Sequence, residues 1–397
     1  MKQCPSAKLP LTIAAAFALI VVAETPALAH RWVGTWACAP AWADSKQSFT
    51  NVTLREIVHV SVAGKLVRVR FSNVFGVQPL RIAHATLAIQ RRGAATTAVP
   101  RELTAGGASS FTVAPHAQSF SDALQMDVRP GGNLVISLYV HGPTGAPTEH
   151  PLAMQTTYSA TGDRATDAGG TAFSKLGTAW YFISGVDVDG SSAAGSVVAL
   201  GDSITDGWHS SIDANGRWPD VLARRLLRLP RHQGLGVLNE GISGDRILLD
   251  GGLNGPNALS RFDRDVLAQS GVKDVIVFLG INDMQEKPEQ RDAGRLFSGL
   301  LQLAVQAHER GIRIFACTVL PAEGDYAYSS GVEATRQAFN ALVRGSRAFD
   351  GVFDFERALR DPTDPHRMLP AYDSGDHLHP STLGLRAIAS AVDVTKL

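Results

Sequence analysis

An all-β sandwich or jelly roll followed by an α/β domain with a mostly parallel sheet is the fold this sequence predicts. Three observations carry it. The chain has 397 residues, more than one ordinary domain holds. Residues 31–190 contain short runs rich in Val, Ile, Leu and Phe, with Gly, Pro, Asn and Ser clustered between them and no long helical periodicity. From Ser196 onward such runs alternate with stretches of helical spacing. The Gly-, Ser- and Ala-rich segment 187–195 marks the boundary, giving 30–190 as the β domain and 191–397 as the α/β domain.

Residues 1–29 stand apart from both. Lys2 and Lys8 precede the apolar stretch 9–23, and Ala27-Leu28-Ala29 has the small-x-small form of a cleavage site. The pattern predicts a secretory signal peptide cut after Ala29 and a secreted protein, periplasmic or extracellular. The competing expectation is an uncleaved membrane anchor. Cys4 leaves with the signal, and Cys38 and Cys317 remain. They either pair, as an oxidising compartment permits, or stay as free thiols; Cys317 lies within an apolar run where a thiol behaves as a small hydrophobe.

Composition narrows the function classes. Apolar residues make up 45% of the chain, enough to bury real cores. Lys+Arg and Asp+Glu balance at 37 each, so the net charge is zero. That balance gives no support to a nucleic-acid or anionic-membrane partner, which calls for a basic stripe.

In the first domain the expected strands are 54–62, 66–71, 80–89, 110–113 and 134–140. Val67-Arg68-Val69-Arg70-Phe71 alternates, putting apolar side chains on one face and arginines on the other. In the second domain the expected strands are 196–200, 236–239, 274–279, 312–318 and 352–355. The expected helices are 217–229, 259–267, 292–310, 332–349 and 383–392. Leu296, Leu300, Leu303 and Ala307 fall at the spacing of a helix packed on a sheet.

The first of these parallel strands ends abruptly in Gly201-Asp202-Ser203. An open α/β sheet places its ligand crevice at such carboxyl ends. A serine there is a nucleophile only if a base stands nearby. Asp373-Ser374-Gly375-Asp376-His377-Leu378-His379-Pro380, before the last helix, sets two imidazoles beside carboxylates. Asp376 and His379 are close enough to meet within one turn of chain, so that the carboxylate fixes the tautomer of the base. His377 is the rival base. Two further strand ends carry Gly241-Ile242-Ser243-Gly244-Asp245 and Gly280-Ile281-Asn282-Asp283. A glycine N–H approaches a ligand closely, and an asparagine amide donates without a charge to desolvate; both suit a developing oxyanion.

Gly201-Asp202-Ser203, Gly244, Gly280-Ile281-Asn282-Asp283 and Asp376-His377-Leu378-His379 resemble, in order, the four sequence blocks of the SGNH (GDSL) hydrolases. The resemblance covers 196–397. It implies a flavodoxin-like three-layer α/β/α domain with five parallel strands. It implies Ser203 as nucleophile, His379 as base and Asp376 as the orienting acid. It also implies an oxyanion hole made of the Ser203 N–H, the Gly244 N–H and the Asn282 amide. The β-rich region opening with Trp32-Val33-Gly34-Thr35-Trp36 looks like the accessory domain of secreted two-domain members, several of which deacetylate plant polysaccharides.

The expected function is therefore a secreted serine esterase that needs no cofactor and no metal, acting on a small ester or an O-acetylated poly- or oligosaccharide. A lipase, lysophospholipase or arylesterase of the same family is the alternative; the polar loop 321–331, with Glu323, Asp325, Tyr326 and Tyr328, favours sugar. Other classes stay in view. Asp376, His377 and His379 as metal ligands is one. An α/β-hydrolase elbow is weakened by Thr205 standing where its second glycine belongs. A non-catalytic carbohydrate-binding protein is the third. Asp202, Asp206 and Asp283 read as loop-holding carboxylates. Trp208, His209, Tyr326, Tyr328 and Tyr372 are loop residues near the crevice that either touch substrate or simply pack.

Overall fold

A computed structural model describes Met1, residues 30–228 and residues 234–397. The expected signal peptide lies outside the described residues. Among those described, no helix is long and apolar enough to cross a membrane.

Residues 31–190 form strands and turns without a helix. One antiparallel sheet runs Val33–Ala37, Ile183–Asp189, Gly64–Ser72, Gln118–Phe120, with Leu124–Val128 also on Gly64–Ser72. The other runs Ser174–Gly177, Thr157–Thr161, Val52–His59, Asn133–Val140, His84–Arg92, Ala95–Thr96. Leu54, Val58, Leu134 and Ile136 from the second meet Val67, Val69, Phe71 and Val186 from the first in one core. This is the packing of a sandwich, whose inner faces bury alternate residues. The expected strand 80–89 is two strands. Leu80–Ile82 pairs with Phe111–Val113, while His84–Arg92 pairs with Asn133–Val140.

The arginine face of Gly64–Ser72 is largely covered: Arg68 is half-buried and Arg70 buried. Arg68 donates to Asp187 at 2.9 Å and to Ser270 at 3.2 Å. That face is turned toward the second half of the chain.

The second half holds five parallel strands: β1 (Gly195–Gly201), β2 (Leu235–Gly241), β3 (Val272–Phe278), β4 (Arg313–Cys317) and β5 (Gly351–Phe353). Their order is β2-β1-β3-β4-β5, the doubly wound arrangement expected of a flavodoxin-like α/β/α domain. Its helices are α1 (Ser203–Asp206), α2 (Trp218–Leu226), α3 (Ala258–Phe262), α4 (Ile281–Gln285), α5 (Ala293–Glu309), α6 (Ser330–Gly345), α7 (Phe355–Leu359) and α8 (Thr382–Ala391). The run from Val197 to Leu200 is apolar throughout because both faces of β1 are covered. Val198 and Leu200 pack with Leu296, Leu300 and Leu303 of α5 and Phe339 of α6. Val197 and Ala199 pack with Trp218 and Leu222 of α2 and Leu385 and Ile388 of α8.

Two helical expectations need correction. The stretch 259–267 splits into α3 and a π-helical turn, Asp263–Leu267. The stretch 332–349 stops at Gly345, where Ser346 turns extended and its hydroxyl accepts the Ala348 N–H at 3.1 Å. A serine that bonds its own local backbone offers the chain an alternative to the helix. The open question about the cysteines resolves to free thiols. Cys38 and Cys317 are both buried and unpaired, in separate core clusters.

The two halves lie within one compact unit, residues 31–397. Val33–Ala37 lies along the edge strand β2. A Cβ on Gly236 would stand 2.0 Å from the Gly34 carbonyl oxygen, so only glycine admits this approach. The Val237 N–H donates to Ser61 Oγ at 2.9 Å, and the Gly34 N–H to the Ser270 carbonyl at 2.9 Å. An edge strand with open backbone groups is thereby covered.

Candidate active site

β1 delivers Ser203 through a sharp turn. A Cβ on Gly201 would lie 2.0 Å from Thr205 Oγ1, so the chain can fold back at once. Asp202 caps α1 by accepting the Ile204 N–H at 3.1 Å. Burial pushes its carboxyl up to about 7. The Ser203 carbonyl accepts the N–H groups of Gly207 and Trp208, each at 2.9 Å, which closes the turn behind the side chain.

The segment before α8 supplies the partner. Asp376 Oδ1 accepts the N–H of Leu378 at 3.0 Å, the N–H of His379 at 2.8 Å and the hydroxyl of Ser374 at 3.1 Å. Its Oδ2 lies 2.6 Å from His379 Nδ1. Burial alone would raise this carboxyl; the bonds from His379 and Leu378 overcome it and hold the group far below the usual carboxylate range. With Nδ1 facing a carboxylate, the ring proton belongs there. His379 Nε2 then presents a lone pair to Ser203 Oγ, 2.8 Å away. Burial lowers the imidazole below its ordinary value despite the pull of Asp376, so it is neutral near pH 7. Ser203, His379 and Asp376 thus come together as one hydrogen-bonded chain.

His377 does not join it. Its Nδ1 meets Asp373 Oδ2 at 2.6 Å, its N–H donates to Asp373 Oδ1 at 3.0 Å, and its φ is +66°. A loop that turns around Asp373 and Asp376 sends the two imidazoles to different carboxylates. The alternative grouping of Asp376, His377 and His379 as a set of metal ligands therefore does not form. His209 takes the third place instead. Its Nε2 lies 3.2 Å from Asp376 Oδ2, and its ring lies 5.6 Å from that of His379. The ligand atoms of His209, Asp376 and His379 fall within 4.8 Å of one another. Asp376 Oδ2 thus stands within reach of two ring nitrogens, one of them the His379 Nδ1 to which it is hydrogen-bonded.

Gly244 stands on the loop after β2, and Asn282 in the first turn of α4, just after β3. Gly244 has φ +80°, and a Cβ there would lie 2.3 Å from Asn254 Nδ2. Asn282 Nδ2 donates to the Asp245 carbonyl at 3.0 Å, which fixes the amide and leaves its second N–H free to point elsewhere. Three anchors hold the loop carrying Gly244. Asp206 Oδ2 accepts the Ser243 N–H at 3.1 Å and hydroxyl at 2.7 Å. Asp283 accepts the N–H groups of Ile247 at 2.8 Å and Leu248 at 3.2 Å. Arg261 of α3 donates to Asp245 at 2.5 Å and to the strand-end carbonyls of Glu240 at 2.8 Å and Gly201 at 3.2 Å. Burial opposes the Arg261 charge, and Asp245 and Asp265 more than offset it.

Arg261 was not visible as a site residue in the sequence; its one signal, Asp265 four residues on, has the look of a surface helix pair. The mouth is polar. Asp325 accepts from Gln285 at 2.8 Å, and the fully exposed Tyr326 donates to Glu286 at 3.1 Å. Tyr372 is half-buried and packs against the core layer that holds Leu385 and Ile388 of α8.

Residues 199–387 match the GDSL-like Lipase/Acylhydrolase family. No curated protein sequence matches the chain. Among solved structures, a G-D-S-L family protein from Desulfitobacterium hafniense DCB-2 aligns at 22% identity, covering 51% of this chain and 99% of its own, with a TM-score of 0.40. A GDSL-like lipase from Bacteroides thetaiotaomicron aligns at 19% identity over 50% of this chain and 86% of its own, TM-score 0.39. Axe2, an acetylxylan esterase from Geobacillus stearothermophilus, aligns at 19% identity over 50% and 92%, TM-score 0.39.

Proposed function

Residues 199–387 form a GDSL-like lipase/acylhydrolase domain, and on that premise we propose that this protein is a serine ester hydrolase using Ser203, His379 and Asp376. The observation that carries the proposal is the unbroken chain from Ser203 Oγ to His379 Nε2 at 2.8 Å and from His379 Nδ1 to Asp376 Oδ2 at 2.6 Å. Ser203 Oγ attacks the ester carbonyl as its proton passes to His379 Nε2. Asp376 stabilises the imidazolium that forms. The oxyanion is held by the Ser203 N–H, the Gly244 N–H and the free Asn282 amide N–H. His379 gives its proton to the departing alkoxide, leaving an acyl-enzyme. It then deprotonates a water that attacks the acyl carbon, and Ser203 regains its proton as the acid leaves. No step calls for a cofactor.

We further propose an O-acetylated poly- or oligosaccharide as the substrate, and export from the cytoplasm as the route to it. The polar mouth of Asp325, Gln285, Glu286 and Tyr326 supports a sugar leaving group over a long acyl chain, which needs a wide apolar groove. The basic-apolar-small pattern of residues 1–29 supports export. Hydrolysis of p-nitrophenyl acetate, butyrate and laurate by the wild type and by Ser203→Ala tests both. Acetate is expected to be the best substrate, and Ser203→Ala to lose on the order of 10⁶ in kcat with its Tm unchanged. Equal activity in Ser203→Ala overturns the mechanism, and preference for laurate overturns the carbohydrate substrate.

A further inference from the structure

We propose that His150 is a positioning residue through which the strand-rich half holds the oxyanion-stabilising loop in register with Ser203. The proposal rests on the esterase reading above, and it gives the first half of the chain a part in the reaction.

His150 sits in the short strand Thr148–His150, between Trp42–Ala43 and Trp180–Tyr181. Its Nδ1 lies 2.8 Å from the Ala39 carbonyl oxygen. A carbonyl only accepts, so Nδ1 carries a proton. Its Nε2 lies 3.0 Å from Oδ1 of Asp206, and both side chains are buried. That carboxylate only accepts as well, so the ring holds both protons; burial opposes the charge, and Asp206 more than offsets it. Asp206 is the last residue of α1, the turn that begins with Ser203. Its other oxygen, Oδ2, takes both the N–H and the hydroxyl of Ser243, at 3.1 and 2.7 Å. Ser243 directly precedes Gly244. One carboxylate therefore joins three pieces of chain: the nucleophile turn, the Gly244 loop and a strand of the other half.

The packing leaves little slack. A Cβ on Gly241 would lie 2.2 Å from the Asp206 amide nitrogen, so the turn and the loop touch backbone to backbone. Behind His150, the Trp180 ring is 5.6 Å away, and Arg217 lies over the same indole at 5.5 Å. If His150 loses its donor, Oδ1 of Asp206 becomes a buried acceptor without a partner. The carboxylate must then take up a proton or rotate toward another donor, and either response loosens its grip on Ser243. A loosened Gly244 N–H costs more in the transition state, where the oxyanion carries charge, than in the ground state. The consequence is a fall in kcat with little change in KM.

The test compares His150→Phe, which fills the space without a donor, with His150→Gln, whose amide N–H reaches toward Asp206. Each is assayed on p-nitrophenyl acetate beside wild type and Ser203→Ala, with Tm and the inhibition constant of phenylboronic acid. The boronate forms a tetrahedral adduct on serine that draws on the oxyanion donors. His150→Phe is expected to lose about 10- to 100-fold in kcat, to bind boronate weaker by a similar factor, and to keep KM within about twofold. His150→Gln is expected to recover most of both losses. Ser243→Ala, which leaves the buried pair intact, covers the case in which His150→Phe does not fold; it is expected to lose kcat and boronate affinity at unchanged Tm. Wild-type kcat and boronate affinity in folded His150→Phe, or in Ser243→Ala, would overturn the proposal. Equal activity in wild type and Ser203→Ala would instead remove the esterase reading on which it stands.

Discussion

Arg55 in the strand-rich half and Arg261 in the α/β half are both withdrawn from solvent, and they are neutralised differently. Arg55 donates to carbonyls of Ala94 at 2.8 Å, Asp167 at 2.8 Å and Arg164 at 3.2 Å, and to Ser137 Oγ at 2.9 Å. Its guanidinium also lies 3.8 Å from the centre of the Phe173 ring. Burial lowers its pKa to about 10, with Asp167 pulling the other way. Arg261 faces two buried carboxylates, Asp245 and Asp265, besides its two carbonyls. The first arrangement gathers loop backbone around a cation. The second balances charge beneath the ends of β1 and β2, where the Ser203 turn and the loop carrying Gly244 begin. The difference teaches that a buried arginine can serve the fold alone or the fold and the site together, according to what it neutralises.

Substitution separates the two. Arg261→Met strands Asp245 as an uncompensated buried acid, while Asp265 keeps Arg264, a loss of about 3–5 kcal/mol of stability. Its kcat should fall as well, because Asp245 fixes the Asn282 amide. Arg55→Met orphans carbonyls rather than charges and should cost less, about 1–3 kcal/mol, while the folded fraction keeps wild-type kcat. Urea unfolding paired with kcat per folded molecule checks both. A fall in kcat for Arg55→Met that exceeds its unfolded fraction would erase the contrast.

Asn282→Ala sharpens the comparison from the other end, since it removes a donor that Arg261 only helps to aim. It should lower kcat by about 10²–10³, leave KM near its original value and barely move Tm. A rise in KM at constant kcat would place the amide in ground-state binding. The smallest effect belongs to His377→Ala. Its ring is bound to Asp373, so kcat should stay within about threefold of wild type; a loss as large as that of His379→Ala would exchange the roles of the two imidazoles.

Much of this organisation is legible in the sequence. The apolar run ending in Gly201-Asp202-Ser203 identifies a strand covered on both faces, and such a strand ends at a crevice. The three-residue spacing of Asp376 and His379 lets a carboxylate and an imidazole meet within one turn, a local geometry that sequence expresses directly. What escaped depends on contacts distant in the chain. His150 lies in a polar stretch and meets Asp206 only because two halves pack together. Arg68 and Arg70 alternate with valines as solvent-facing residues would, yet their face is largely covered. His209 reaches Asp376 from a loop with φ +64°, which no periodicity announces. Propensity and spacing report what a segment prefers by itself; they carry no information about which apparently surface charge another segment will bury.

Labelling with diisopropyl fluorophosphate across a pH series, followed by peptide mapping, tests the central claim most directly. An activated serine displaces fluoride and takes the phosphoryl group, whereas an ordinary hydroxyl does not. His379 must be neutral to accept the serine proton, and its pKa lies below the ordinary 6.5. The label should therefore appear on Ser203 with loss of esterase activity, at a rate that is level above neutrality and falls on the acid side as the imidazole becomes protonated, with a midpoint below that of an ordinary imidazole. An enzyme that keeps hydrolysing esters with Ser203 unlabelled, or whose labelling rate is the same under acid conditions, would contradict the account.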